Sequence, residues 1–398
     1  MANPRTRVAL LPEPEPRPVK YTFISVDDHL VEPPDLFAGR LEARFRDRAP
    51  RVVETEAGWE IWEFDGKRYN PIGFDAAAGR PPETVKVEPA RYDEIRPGCW
   101  QIDARVRDMD LNGVWASMSF PSQVTGFGGS LFANASDPDL GLAVTRAYND
   151  WLFEGWYSPY KERIIPLGIT WLADPKRGAD EIRRNAARGF KAVSLPERPH
   201  RLNLPSVFSG YWDPIVEACA ETDTVINLHV GSSGHQLMPD DAPRLPLGAT
   251  LFGAMAITAC AEWLWSGYAV RFPNVKFAMA EGGIGWVGML IDRLDNIMHR
   301  SGYGKAWPDK ERRPSDVLRR NFYFCTIDDP STISTRHAIG VDRIMLESDY
   351  PHGDSTWPNS QAVIEQLIGG LPSDEIRAMT YQNAARLYRH PLPATCTP

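Results

Sequence analysis

The sequence predicts an α/β protein, a (β/α)8 barrel of the TIM type with a β-hairpin-containing insertion after its first strand. Three observations predict it. Eight short apolar runs rich in β-branched residues recur along the 398-residue chain. Segments of helical periodicity separate most of them, as in a parallel sheet built with crossover helices. No glycine-rich phosphate loop follows the first run, as an open doubly wound sheet would usually offer; "SVDDHLVEPP" stands there instead.

The eight runs are "FISVDDH" (23–29), "VWASMSF" (114–120), "IIPLGIT" (164–170), "FKAVSLP" (190–196), "TVINLHV" (224–230), "VKFAMAE" (275–281), "FYFCTI" (322–327) and "RIMLESD" (343–349). Between them, "PDLGLAVTRAYNDWLFEGW", "PKRGADEIRRNAARG", "YWDPIVEACAETD" and "IGWVGMLIDRLDNIMHRSG" have the spacing of helices. The stretch from about 37 to 100 interrupts this rhythm. Within it, "RVVETEAGWEIWEFDGKRY" holds two period-2 runs around a turn, which predicts a hairpin over the barrel mouth. The domain reading is an extended arm (1–20), one barrel domain (21–390) and a short tail (391–398), with a last helix over 373–389. The prolines of the arm predict an extended segment lying on a neighbouring subunit.

Composition narrows the function classes. A formal charge of −8 and a pI near 5.6 argue against nucleic acid, because phosphate binding needs a basic face. The five cysteines, Cys99, Cys219, Cys260, Cys325 and Cys396, form no CxxC pair. That pattern excludes a zinc–thiolate site and a disulfide framework, and it predicts a reducing, cytoplasmic setting. The first twenty residues hold no apolar stretch of signal-peptide length. One segment, 251–270, is as long as a bilayer span, yet it contains Glu262 and lies mid-chain. It is read as a helix packed on the barrel or in a dimer interface. The expected partners are therefore a small-molecule substrate and a second copy of the chain, with no nucleic acid and no membrane.

The polar residues fall at the ends of the predicted strands. Asp27 and His29 end the first strand, His229 the fifth, Glu281 the sixth and Asp349 the eighth. In a closed barrel these ends face one cavity. One acid or imidazole at a strand end is commonly a cap. Carboxylates and imidazoles converging from four strands, inside apolar runs, are the donor set of a divalent metal, one or two ions of Fe, Mn or Zn. Asp27 and His29, two residues apart, point to the same side. After the eighth strand, "ESDYPHGDSTWP" adds His352 as an imidazole to ligate, orient or carry a proton, Asp354 as its partner, and Trp357 as a pocket wall. His235 is a candidate for substrate contact.

The order of "SVDDH", "NLHVGSSG", "AEGGIGWV" and "ESDYPHGDSTWP" resembles the amidohydrolase superfamily, in its amidohydrolase-2 branch of metal-dependent hydrolases and decarboxylases. The resemblance runs from about residue 22 to 390. It implies metal ligation by Asp27 and His29 in the acid-x-His form, by His229 and by Asp349. Glu281 stands where many relatives have His, a departure that shifts preference towards Mn²⁺ or Fe²⁺ or makes room for two ions. Lys191, on the fourth strand, stands where other branches use a carboxylated lysine; a core lysine paired with an acid is the plainer reading.

Three activities fit such a site. The first choice from the sequence is hydrolysis of a bulky apolar or aromatic small molecule by metal-activated water, with Asp349 and His352 as the catalytic groups. The alternatives are a non-oxidative aromatic-acid decarboxylase and, as the resemblance allows, a non-haem diiron monooxygenase. The rings of Trp59, Trp62, Phe64, Tyr69 and Phe74 in the insertion suggest the aromatic substrate.

Overall fold

The computed structural model describes residues 8–69, 71–73, 75–85, 89–122, 124–234, 238–300, 302–327 and 329–396. Eight strands make the barrel: β1 (Phe23–His29), β2 (Val114–Phe120), β3 (Leu167–Gly168), β4 (Ala192–Pro196), β5 (Val225–His229), β6 (Phe277–Ala280), β7 (Phe322–Thr326) and β8 (Ile344–Leu346). β3 through β8 pair in parallel and in sequence order, and β1 pairs in parallel with β2. Ser117 joins β2 to the approach of β3, donating its N–H to Arg163 O and accepting from Ile165 N, both at 2.9 Å. β8 returns to β1 through Asp349 N to Asp27 O (2.9 Å) and His29 N to Tyr350 O (2.6 Å). The ring is thereby closed.

Alternation builds two apolar layers. Ile24, Val26, Ala116, Met118, Ala192, Val225, Ala278, Tyr323 and Met345 pack together inside the barrel. Their neighbours Phe23, Val193, Ile226, Phe277, Phe322 and Ile344 face outward into a second layer under the helices. The helices start where their sequences say they should. Asp137 caps Pro138–Trp151 by accepting Asp139 N, and Asp174 caps Pro175–Arg188 by accepting Lys176 N and Arg177 N. The last turn of chain, Asn383–Tyr388, plugs the barrel floor: Tyr388 donates to Asn227 Oδ1 at 2.7 Å.

Arg244–Thr250 and Phe252–Trp265 form a bent helix pair at 53°. No single helix among the described residues is long and apolar enough to cross a membrane; this pair passes by length and composition only. Met255, Ala259, Cys260, Trp263 and Leu264 are buried within it, and Glu262 pairs with Arg198 at 2.6 Å.

The insertion holds one strand more than the expected hairpin. Arg51–Glu54, Glu60–Phe64 and Lys67–Tyr69 form a three-stranded antiparallel sheet. Its second turn is Asp65-Gly66, both at positive φ, the two-residue connection that an Asp-Gly pair favours. Of the aromatics expected to line a substrate cavity, Trp62 packs against Phe37 within the insertion and Phe64 against Phe132 of the loop after β2. Phe74 lies outside the described residues. The insertion is tied over the mouth by Ala77 N and Ala78 N, which donate to Pro351 O. From residue 8 the arm is held to its own chain by Leu11 N donating to Gly79 O, by Glu13 paired with Arg96, and by Lys20 N donating to Gln361 Oε1.

Candidate metal centre

Strict alternation would misplace the β1 acids. Phe23 faces the helices, so Ser25, Asp27 and His29 should follow it outward. A register shift between Ser25 and Asp28 resets the phase. Beyond it, Asp27 and His29 turn into the barrel, where they meet His229. Glu281 needs a similar device. It is out of phase with the inward Ala278 and Ala280, and its left-handed backbone (φ +59°) re-aims the side chain to the mouth. Asp349 is also left-handed, at φ +53°. Each such non-glycine residue costs on the order of 1–3 kcal/mol, strain of the kind that gathers at functional sites. After Glu281 the chain needs glycine: a Cβ on Gly282 would come within 2.3 Å of Ala256 Cβ.

The donor atoms converge. His29 Nε2 and His229 Nε2 are 3.0 Å apart. His229 Nε2 is 3.5 Å from both Asp27 Oδ2 and Glu281 Oε2, and His29 Nε2 is 3.3 Å from Asp349 Oδ1. His352 Nδ1 stands 3.0 Å from Asp349 Oδ1, and its ring stacks on His29 at 3.7 Å between centroids. His229 Nδ1 points at Val230 O, 2.6 Å away, so that nitrogen carries the proton and Nε2 offers its lone pair to the cluster. Among the described residues three overlapping donor groups form: Asp27, His29 and His229; His29, Asp349 and His352; and Glu281, Asp349, His352 and Asp354.

The electrostatics of this cluster call for a cation. Asp27 and Asp349 are fully buried, and their carboxylate oxygens accept no hydrogen bond among the described residues. Burial, reinforced by neighbouring carboxylates, pushes Asp27, Glu281 and Asp349 well above the usual carboxylate range. Burial also lowers the imidazoles, His229 to about 3. The imidazoles are thus held in their neutral, ligating form. Unpaired buried carboxylates are costly. A divalent ion reverses the sign for each of them, so the donor set fits one or two such ions.

Not every expected residue lies here. Lys191 is at the opposite end of the barrel: it precedes β4, its carbonyl accepts Val225 N, and its charged neighbours are Arg389 and His390. A residue at the N-terminal end of a strand cannot reach the mouth, so no lysine bridge forms with it. Trp357 packs behind the site, against Tyr350 (5.7 Å) and under Arg96 (4.6 Å), rather than walling the cavity. Asp354, though exposed at the rim, does belong to the third donor group, with His352 and Asp349. His235 lies outside the described residues.

Other residues at the centre received no role from the sequence. Glu347, in phase with Met345, is buried and accepts Glu281 N at 3.2 Å; its spacing from Asp349 could have revealed it. Phe127 sets its ring 4.8 Å from His29 and 4.7 Å from His229. It comes from a glycine-rich loop with no periodicity to flag it. Glu32 and Glu197, at the ends of β1 and β4, are buried, and burial raises each to about 7.

Those two groups, together with the raised carboxyls of the donor cluster, contribute an expected pH dependence. A carboxyl raised in the folded state contributes stability fully below its unfolded value of about 4.5, and loses it as pH rises through about 7. Urea denaturation of the metal-free protein should therefore show falling stability from pH 4.5 to 7. Glu32→Gln with Glu197→Gln should flatten that slope; an unchanged slope would assign it elsewhere.

Residues 96–390 match the family model described as amidohydrolase. An amidohydrolase from Mycobacterium avium subsp. paratuberculosis K-10 superposes with a TM-score of 0.72 at 23% identity, covering 93% of this chain and 100% of its own. The 5-carboxyvanillate decarboxylase of Sphingomonas paucimobilis superposes at 0.64 with 18% identity, over 93% and 100% of the two chains. A dihydroxybenzoic acid decarboxylase from Polaromonas sp. JS666, with manganese and the inhibitor 2-nitroresorcinol, reaches 0.60 at 21% identity over 78% and 90%. At these identities the likeness is one of fold.

Proposed function

The chain belongs to the amidohydrolase family, and from that premise we propose that it is a metal-dependent decarboxylase of a hydroxylated aromatic acid, working without an oxidant. The observation that carries the reading is the buried donor set of Asp27, His29 and His229, with the half-buried Glu281 at its edge, beside the rings of Phe120 and Phe127. The fold likeness to aromatic-acid decarboxylases supports it. Hydrolysis, the first choice from the sequence, has only the breadth of the family behind it.

When bound, the divalent ion supplies positive charge to hold the substrate's carboxylate and an adjacent hydroxyl oxygen. His29 and His229 would hold it through their neutral Nε2 atoms, and Asp27 through its orphaned oxygens. Phe127, over both imidazoles, offers a flat apolar wall for an aromatic ring and keeps water from the donors. Asp349 carries the proton. It passes this proton to the ring carbon as the bond from that carbon to the carboxyl group breaks; the bonding electrons stay on the ring, and CO₂ leaves. His352 Nδ1, 3.0 Å from Asp349 Oδ1, is placed to return a proton to it.

One observation favours a second reading. Glu281, Asp349, His352 and Asp354 form a further donor group beside the first, and two ions there would suit a diiron oxygenase. Turnover of 2,6-dihydroxybenzoate, 5-carboxyvanillate and related ortho-hydroxybenzoates separates the two, measured as CO₂ release with Mn²⁺, Zn²⁺ or Fe²⁺ in strict anaerobiosis. The decarboxylase reading expects undiminished CO₂ release without oxygen and with a redox-inert ion. Turnover confined to iron and air, with about two irons per chain, would replace it with the oxygenase.

A further inference from the structure

We propose that Asp28 is a positioning residue for the metal centre: its buried carboxylate fastens β1 to β2 and β8 at the seam of the barrel, and so sets the direction of Asp27, His29 and Asp349. The inference rests on the centre binding a divalent cation, not on the reaction it supports.

The seam is where the backbone is weakest. β1 and β2 lose register between Ser25 and Asp28, and two backbone hydrogen bonds hold β8 to β1. Those two bonds involve Asp27, His29, Asp349 and Tyr350, three of them candidate ligands or proton carriers. Asp28 lies on the other face of β1, away from the donors. Its Oδ1 accepts Ser25 Oγ (2.8 Å), Ser348 Oγ (2.5 Å) and Tyr350 N (3.1 Å), and its Oδ2 accepts Ser117 Oγ. One carboxylate thus takes four donors from β1, β2 and the segment that follows β8, two of them from the residues that flank Asp349. Ser25 completes the network: its one hydroxyl proton goes to Asp28 Oδ1, and its oxygen accepts Ser348 N at 2.9 Å.

The residue types agree with this role. On β4 to β8 the outward positions carry Val, Leu, Ile, Phe and Met, except for Thr326 at the end of β7, whose hydroxyl donates to Asp329. At the seam they carry Ser25, Ser117 and Ser348, all buried. Small hydroxyls there forgo apolar packing, and the anion they surround is their reason. Arg105 adds positive charge from the same side, donating to His29 O and, at 2.7 Å, to Gly98 O. A carboxylate with this many donors is rigid and hard to replace. The bulge that turns Asp27 and His29 inward is pinned by it, as partners beyond the ligands commonly orient a metal site.

The test reads metal binding, independent of any substrate. The full chain is stripped with chelator and titrated with Mn²⁺, and Co²⁺ loading is followed by its visible spectrum, at a temperature where circular dichroism is native. Asp28→Ala should bind Mn²⁺ about tenfold or more weakly and alter the Co²⁺ bands. Asp28→Asn should return to within about threefold of wild type, with the wild-type spectrum, because Oδ1 keeps its three donors and the amide can donate to Ser117 Oγ. A purely structural role would lower the melting temperature of Asp28→Ala yet leave affinity and spectrum unmoved, and that result overturns the proposal. So does an Asn variant as impaired as Ala. Should Asp28→Ala fail to fold, Ser25→Ala with Ser117→Ala removes two of the four bonds and keeps the carboxylate. It should weaken Mn²⁺ about threefold or more and shift the Co²⁺ spectrum; wild-type behaviour overturns the proposal. A wild-type chain that takes up neither ion removes the metal reading and this proposal together, whereas equal binding by wild type and variants removes this proposal alone.

Discussion

His229→Ala should abolish stoichiometric metal binding while leaving the fold intact. His229 is the hub of the donor set, with His29, Asp27 and Glu281 all within 3.5 Å of its Nε2. Its removal leaves the remaining carboxylates without the imidazole that faces them. The loss in Mn²⁺ affinity should exceed about 100-fold, more than a group that only supports a ligand usually costs. The fold should survive because the apolar layers inside and outside the strands carry stability, and His229 belongs to neither. Elemental analysis beside circular dichroism decides it. Full occupancy in the variant would mean that another set of side chains holds the ion.

Asp349→Asn should lower kcat by about 10²–10⁴, the range for losing a positioned acid or base. Asparagine matches the shape of Asp349 but cannot carry its proton. KM should move little, and at least about half of the metal should remain, since Asp27, His29 and His229 still offer three donors. Steady-state kinetics with a metal assay on the same sample separates chemistry from occupancy. A variant within about threefold of wild type would pass the proton-carrying role to His352, and His352→Ala would then show the large effect.

Much of this centre was legible because strand ends advertise themselves. A run such as "TVINLHV" is apolar enough to be buried, so a histidine inside it needs a partner, and four such ends imply one cavity. Glu347 was equally legible: it is in phase with Met345 and Asp349. Phe127 was not, because the loop that carries it has no period from which a direction could be read. Lys191 and Trp357 show the opposite failure. Each has suitable chemistry near a suitable strand, but Lys191 sits at the wrong end of β4, and Trp357 turns towards Arg96 and Tyr350 behind the loop.

By itself the sequence determined the eight-strand α/β barrel and the placing of Asp27, His29, His229, Glu281 and Asp349 at strand ends. Burial and period-2 alternation are local properties, written in neighbouring residues. The tertiary structure decided which way those residues face. Asp27 and His29 point inward only because β1 slips register against β2, and Glu281 reaches the mouth only through a left-handed backbone. Both depend on what the rest of the barrel presents to them. At the seam this includes hydroxyls and a backbone N–H as far as about 320 residues away in the chain, and no local pattern records such a contact.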